Sequence, residues 1–253
     1  MRSERWLLPL LFAIVLIGAW QLAVSGTKTN VVPGPWLVAK GLGQLWDRGL
    51  LVKYTLASLR RVAIGYAIAV AVGIPLGLWM GRSTIVSAAA NPLVQILRPI
   101  SPIAWIPIAI VLFGIGEGAP IFLIALAGML PIASAVAATV ETVPPMYLQA
   151  ARNFGLGEGA ILRRVLFPAV LPQLLATLRT ALGVCWIVVV AAEMIAVDSG
   201  LGYLIIDSRN AGKRYDLVVA GMVLVGAVGL LLDLGFRLLE RMKSVRWGYL
   251  RYR

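Results

Sequence analysis

The apolar residues of this chain are gathered into six long runs that are separated by polar breaks. The runs cover about 6–24, 62–80, 88–113, 119–140, 170–197 and 216–236. Each is near or above the length of about 20 residues that a helix needs to cross about 30 Å of hydrocarbon. A helix also satisfies its own backbone hydrogen bonds, as lipid requires. The pattern therefore predicts an all-α integral membrane protein with about six transmembrane helices.

The first run allows two interpretations. It follows a basic flank and ends near Ala23-Val24-Ser25, which resembles the cleavage site of a signal peptide. Its apolar core is long for a signal peptide, and Trp6 and Trp20 stand near its two ends as interfacial anchors do, so we favour an uncleaved first span. Apolar positions recur at helical spacing between Trp36 and Trp46, which predicts a helix along the membrane surface.

The runs predict a single membrane domain over 1–253. In this interpretation 1–60 hold the first span and the surface helix, and 61–240 hold a core that includes a long loop at 141–168. With the N-terminus in the cytoplasm, 12 Lys and Arg lie inside and 9 outside, a weak positive-inside bias for a multi-pass protein of the cell membrane. Arg60 and Arg61, at the outer end of the second span, count against that bias.

Composition excludes several classes of function. The net charge of +12 is spread over the polar breaks, so it favours contact with anionic lipid headgroups and excludes a nucleic-acid surface. The chain has no His and one Cys, Cys185, so it offers no metal site built from those ligands and few general bases. We therefore predict no catalytic residues and no metal.

The break at 141–168 has the punctuation of two short helices. Pro145 suits a first helical position, and Gly155 suits the left-handed conformation that ends a helix. A second helix is predicted from Glu158 to Phe167, where Pro168 breaks it. The small side chains of Ala150 and Ala151 would let another protein approach the first helix closely. Chemistry alone leaves two interpretations open, a docking surface for a protein or a loop that rests on lipid headgroups.

The order Gln149-Ala150-Ala151, three residues, Gly155, nine residues, Val165, one residue, Phe167-Pro168 resembles the EAA loop of ABC-importer permeases. That loop is written Glu-Ala-Ala, x3, Gly, x9, Ile-x-Leu-Pro. Gln149 replaces the family's Glu, so no salt bridge is assigned to it. The resemblance implies that this segment is the coupling helix that docks on an ATPase. The residues it assigns to coupling are Gln149, Ala150, Ala151, Arg152, Asn153, Phe154, Gly155, Leu156 and Gly157.

Further segments resemble the nitrate, sulfonate, taurine and bicarbonate branch of that family. They are 58–61, 73–77, 92–107, 113–116 and 191–194. The resemblance implies a type I, MetI-like permease of a bacterial inner membrane, which works as a homodimer by alternating access and imports a small polar anion. Each copy would dock one ATPase through 145–158 and receive solute from an extracytoplasmic binding protein. The chain has no Gly-x4-Gly-Lys-Ser/Thr phosphate loop, so ATP and Mg would be held by the separate ATPase.

Arg98 lies about ten residues into the third run, where a cation is costly unless it pairs, snorkels or lines a pathway. Prolines at 99, 102 and 107 predict a distorted helix there. Two interpretations stay open: a polar passage for an anion, or a packing kink in which Arg98 binds neighbouring carbonyls. The passage would be formed by Gln95, Arg98, Ser101 and Trp105.

Charged residues in the later runs are predicted to be structural. Glu193 would pair with a basic residue of another helix, and Arg179 needs a partner of its own, since they are about four turns apart. Asp233 and Arg237, four residues apart, are placed to pair on one helical face. The rival to an ATP-driven importer is an ion-gradient transporter or channel, which would need ionisable residues gathered at mid-membrane.

Overall fold

The computed structural model describes residues 4–25 and 32–240, and all the regular structure within those ranges is helical. The basic tail over 241–253 and the first three residues of the basic N-terminal flank lie outside the described residues. The α-helices are α1 Glu4–Ser25, α2 Pro35–Asp47, α3 Leu50–Arg82, α4 Thr84–Leu97, α5 Ile106–Phe113, α6 Gly118–Glu141, α7 Pro145–Asn153, α8 Glu158–Ile161, α9 Phe167–Ala196, α10 Leu201–Gly212 and α11 Tyr215–Glu240.

Four stretches of helix are long and apolar enough to cross a membrane by length and composition, among the residues described. They are α3, α6, α11 and a 39-residue stretch that joins α8 to α9, Glu158–Ala196. The pair formed by α4 and Pro102–Phe113 adds a fifth if it is counted as one span. The first predicted span is helical over the 22 residues of α1.

The third predicted span is not one straight helix. Its two halves, Thr84–Leu97 and Pro102–Phe113, meet at an angle of 88°. The break falls at Arg98 to Ser101, followed by a 3₁₀ turn over Pro102–Trp105. Pro99 and Pro102 cannot donate backbone hydrogen bonds and clash with the preceding turn, which explains why the helix ends there. The expected distortion is therefore a sharp bend, and the regular helix is interrupted from Arg98 to Ser101.

The predicted break at Pro168 is wrong. A π-helical turn over Leu162–Leu166 leads directly into α9, and Pro168 stands in the first turn of that helix. A proline inside a regular helix clashes with the carbonyl four residues earlier, here that of Arg164, and a wider π turn relieves such crowding. The segment at 141–168, which we name the coupling loop for its predicted role, is thus continuous with a spanning helix.

The core is built where α3 crosses α6, and glycines allow the close approach. Gly73, Gly77 and Gly81, which recur every four residues, face Ile132, Val136 and Val140. This agrees with the packing role expected of the repeat. In α11, Gly221 and Gly229 pack on neighbouring side chains, whereas a Cβ added at Gly226 would meet no atom within 4 Å among the residues described.

Gly77→Ala is expected to destabilise this crossing. A Cβ at Gly77 would lie 2.5 Å from the carbonyl oxygen of Ala133 and 2.7 Å from Val136 Cβ. Overpacking of this kind costs about 1–3 kcal/mol. The matched control is Gly226→Ala, which meets open space and should stabilise α11 by up to about 1 kcal/mol. Unfolding of the purified variants in detergent measures both, and equal shifts would contradict the packing role.

The surface helix predicted between Trp36 and Trp46 is α2. Its buried residues Val38 and Leu45 pack in one cluster with Leu204 of α10 and Ala220 of α11. Trp36 and Trp46 remain 68% and 65% exposed. The helix therefore covers the ends of α10 and α11 and leaves its aromatic residues on the outside.

Candidate functional site

The coupling loop is a helix, a sharp turn and a second helix. Gly155 has a φ of +75°, so it adopts the left-handed conformation that ends α7. The backbone N–H of Gly155 donates to Arg152 O at 2.9 Å, and that of Leu156 donates to Ala151 O at 3.1 Å. Gly157 then precedes the first residue of α8 in an extended conformation. The sequence punctuation at Pro145 and Gly155 predicted this local structure.

The two alanines of the loop have different surroundings. Ala150 is exposed, but Ala151 is only 5% exposed because α7 packs on the π turn and α8. Ala151 nevertheless lines an open groove beside the loop together with Ala150, so the expectation that both alanines let another protein approach closely stays a prediction. Phe154 is 86% exposed and Met146 is 66% exposed, so large apolar side chains project from the same loop. Met146 is not among the predicted coupling residues, although an apolar residue on a solvent-facing helix is a signal that identifies it.

Ion pairs tie the coupling loop to α3. The Glu158 carboxylate accepts from Arg152 Nε at 3.1 Å and also pairs with Arg82 at the end of α3. The remaining predicted coupling residues, Gln149, Asn153, Leu156 and Gly157, are exposed or half-buried. Beside the loop lies an open groove of about 610 Å³ that includes Tyr147, Ala150, Phe154 and Arg164. The loop is thus held to α3 by an ion pair, and it also borders an open groove.

Arg98 lies at the corner of the broken span, between two cavities. The smaller, of about 120 Å³, is also lined by Trp105 and Leu126. The larger, of about 350 Å³, extends along α9. Arg98 is exposed, and its guanidinium has no hydrogen bond or ion pair among the residues that the structure describes. The alternative in which Arg98 binds neighbouring carbonyls is not what this geometry shows.

Only part of the predicted passage comes together. Arg98 and Trp105 line the same cavity, whereas Gln95 and Ser101 are exposed and line neither. The larger cavity instead holds Gln173, Thr177 and Thr180 of α9. These three residues are not among the predicted site residues. Their spacing of four and three residues, which puts polar side chains on one face of an apolar helix, was a signal that identifies them.

A buried network surrounds Glu193. Its carboxylate accepts from Arg61 Nη1 at 2.7 Å, from the Ser58 hydroxyl at 2.8 Å and from the backbone N–H of Gly202 at 3.0 Å. The Arg61 and Glu193 side chains are both 0% exposed. Gly200 lies so close to the Glu193 carboxylate that a side chain there would collide with it. Glu193 therefore has the basic partner on another helix that it was expected to need.

Arg61 also reaches two loops at the same end of the molecule. It donates to Glu117 Oε2 at 2.9 Å and to the carbonyl of Ser199 at 2.7 Å. Hydrogen bonds from Arg61, with a second contribution from Arg60, lower the pKa of Glu117 despite its partial burial. Because that pKa is lowered, the stability that Glu117 contributes is present at neutral pH and is lost as pH falls through the lowered pKa. The network thus joins α3, α9, the 114–117 loop and the 197–200 loop.

A second ion-pair cluster links α9 to α11. Arg179 donates to Asp233 Oδ1 at 2.6 Å and to Glu240 at 3.3 Å, and Arg237 lies 2.9 Å from Asp233 Oδ2. All four side chains are partly exposed. A small cavity of about 50 Å³ beside them is lined mostly by apolar residues. These ion pairs connect α9 to α11.

The chain resembles known membrane transport components over most of its length. A family model described as "Binding-protein-dependent transport system inner membrane component" matches residues 73–245. The nitrate import permease protein of Leptolyngbya laminosa is 36% identical over 229 residues, which are 87% of this chain and 81% of that protein. The taurine transport system permease protein of Escherichia coli K12 is 38% identical over 193 residues, or 76% of this chain and 69% of that protein.

The fold has a counterpart among solved structures. The MetNI methionine ABC transporter, in an inward-facing conformation, aligns with a TM-score of 0.67 at 23% identity. The match covers 77% of this chain and 96% of that chain. The family model matches the coupling loop, the broken span and Glu193. The match begins within α3, so Arg61 lies before it.

Proposed function

Because this chain belongs to the family of inner membrane components of binding-protein-dependent transport systems, the permease subunits of ABC importers, we propose that it imports a small polar anion. The permease is a multi-pass membrane protein and not itself an enzyme. The single observation that carries ATP-driven import is the coupling loop. Its first helix ends at Gly155 in the left-handed conformation, and Glu158 pairs with Arg82 of α3.

The proposed solute is an anion of the nitrate, taurine, alkanesulfonate or bicarbonate class. Relatives named for nitrate and for taurine import support this class. The cavities beside Arg98 support it independently, since neither is lined by a carboxylate among the residues described. Arg98 and Trp105 are the proposed first contacts in the membrane, because an unpaired guanidinium there attracts an anion and repels a cation.

The proposed assembly is a homodimer of this single-domain chain with two ATPases and a binding protein. The ATPases would bind ATP and Mg, so this chain needs no cofactor. Dimerisation is supported by the open cavity at Arg98, because a cation left facing lipid would cost several kcal/mol. A second copy on that side would enclose the cavity and complete the path.

The test is uptake by the reconstituted permease, ATPase and binding protein, with nitrate, bicarbonate, taurine and an alkanesulfonate offered in turn. We expect one of these anions to be taken up. This uptake should require ATP on the side of the membrane where the ATPases lie, and it should continue when the membrane potential is collapsed. Uptake that continues without ATP and stops when the potential collapses would identify a secondary transporter and overturn the proposal.

Gly155→Asp is expected to uncouple ATP hydrolysis from uptake. An aspartate side chain meets open space at Gly155, so insertion and folding should persist, but the left-handed backbone costs a non-glycine residue about 1 kcal/mol. The docking conformation should then be less populated, and uptake should fall about fivefold while ATP hydrolysis continues, because about 1 kcal/mol corresponds to a change of about fivefold in an equilibrium constant.

The matched control for that variant is Gly159→Asp. Gly159 lies in the same loop and also meets open space, and its φ is not in the left-handed region. It should transport as the unmodified chain does. Normal uptake by Gly155→Asp, or equal losses in the two variants, would contradict the coupling role of the Gly155 turn.

A further inference from the structure

A row of polar side chains follows one face of α9. Gln173, Thr177 and Thr180 line the 350 Å³ cavity together with Arg98. Thr180 donates to the carbonyl of Ala176 at 3.1 Å. The side chains of Gln173 and Thr177 make no hydrogen bond within the described residues. Donors therefore stand free on a helix whose other residues are almost all apolar.

The order of these residues along the membrane gives the row a direction. Helices α6 and α9 are consecutive spans that run in opposite directions. Leu126 of α6 lines the smaller cavity, and Ala135, further along α6, lines the larger one. Along α9, Val184 lines both cavities, and Gln173 lies about 16 Å closer to the coupling loop. The polar row therefore leads from Arg98 towards the end of the molecule that carries the coupling loop.

The chemistry of the row suits an anion better than a cation. Hydroxyl and amide groups donate hydrogen bonds to the oxygens of an oxyanion, and no carboxylate competes for them among the cavity-lining residues. They carry no charge, so they would hold an anion less strongly than Arg98 does. Weak sites of this kind let a solute leave after a stronger site has received it.

We propose that Gln173, Thr177 and Thr180 form the inner half of the anion path and pass the solute from Arg98 to the cytoplasm. The inference rests on the proposed function and extends it to α9. The row sets which solutes cross once they have reached Arg98. It acts by hydrogen bonding and by the absence of negative charge.

Gln173→Glu tests the inference with almost no change of shape. A carboxylate in the path should repel an anion, and we expect the maximal uptake rate to fall at least tenfold while the solute concentration that gives half-maximal uptake changes little. Gln173→Met removes the donors without adding charge and should lower uptake about fivefold. The matched control is Gln44→Glu, the same change on α2, where Gln44 accepts from Arg214 and is exposed.

The measurement is ATP-driven uptake of nitrate, bicarbonate, taurine and an alkanesulfonate by the reconstituted importer, with ATP hydrolysis recorded in parallel to show that the variants assemble. Retained hydrolysis with the graded loss, Gln173→Glu below Gln173→Met below Gln44→Glu, supports the row. Equal uptake by Gln173→Glu and Gln44→Glu overturns it and leaves the proposed function intact. Failure of the unmodified importer to move any of the four anions would instead overturn the proposed function and, with it, this inference.

Discussion

Replacing Arg61 with methionine is expected to lower the free energy of unfolding by about 3–5 kcal/mol, because it leaves the buried Glu193 carboxylate without its counter-charge. Arg61 and Glu193 are 2.7 Å apart with both side chains 0% exposed. For a chain of this length the loss should lower the unfolding temperature by about 10 °C. Thermal unfolding of the purified permease in detergent measures it.

Two companion variants separate the buried pair from charge in general. Arg60 is 62% exposed and lies 3.0 Å from Glu117, so Arg60→Met should cost less than about 1 kcal/mol. The double variant Arg61→Met/Glu193→Met removes both buried charges and should recover most of the loss. Similar effects of Arg60→Met and Arg61→Met, or a double variant as unstable as the single, would show that burial of the pair does not control stability.

Arg98→Gln is expected to reduce anion uptake by about 10- to 100-fold. The change removes the charge from the corner of the broken span, and a hydrogen bond to a charged group contributes about 1.5–3 kcal/mol. Arg98→Lys keeps the charge but not the planar geometry and should retain part of the uptake. Initial rates of ATP-driven uptake, measured with the reconstituted importer, give both ratios.

The control for the Arg98 variants is Arg209→Gln, which removes an exposed arginine of α10 that lines neither cavity. It should transport normally. Folding is not expected to suffer in Arg98→Gln, since Arg98 has no ion pair in the described part of the chain to lose. Uptake by Arg98→Gln at the unmodified rate would remove Arg98 from the path.

Local features of this protein are well predicted from its sequence. Apolar runs and proline and glycine positions identify the spans and the two helices of the coupling loop, because both depend on neighbouring residues. The i to i+4 spacing of Asp233 and Arg237 likewise places the two side chains 2.9 Å apart.

Features that depend on distant residues were not predictable in the same way. Nothing local distinguishes Arg61, which is fully buried, from Arg60, which is exposed, because the difference comes from Glu193, 132 positions further along the chain. Prolines predicted a distortion near Arg98 but not its angle of 88°, since the 3₁₀ turn and α5 that follow the break also pack on α6 and α9. The polar row on α9 was missed because isolated threonines are common in apolar helices and only the shared cavity singles them out.

The helix is continuous from Glu158 to Ala196 through the π turn, so a single segment joins the two faces of the membrane. At about 1.5 Å per residue its 39 residues extend roughly 58 Å. The coupling loop leads into its inner end, and near its outer end Glu193 holds Arg61. A displacement of the coupling loop by a docked partner would therefore be transmitted towards the outer loops as a tilt of α9, and the π turn is the point where this segment would bend most easily.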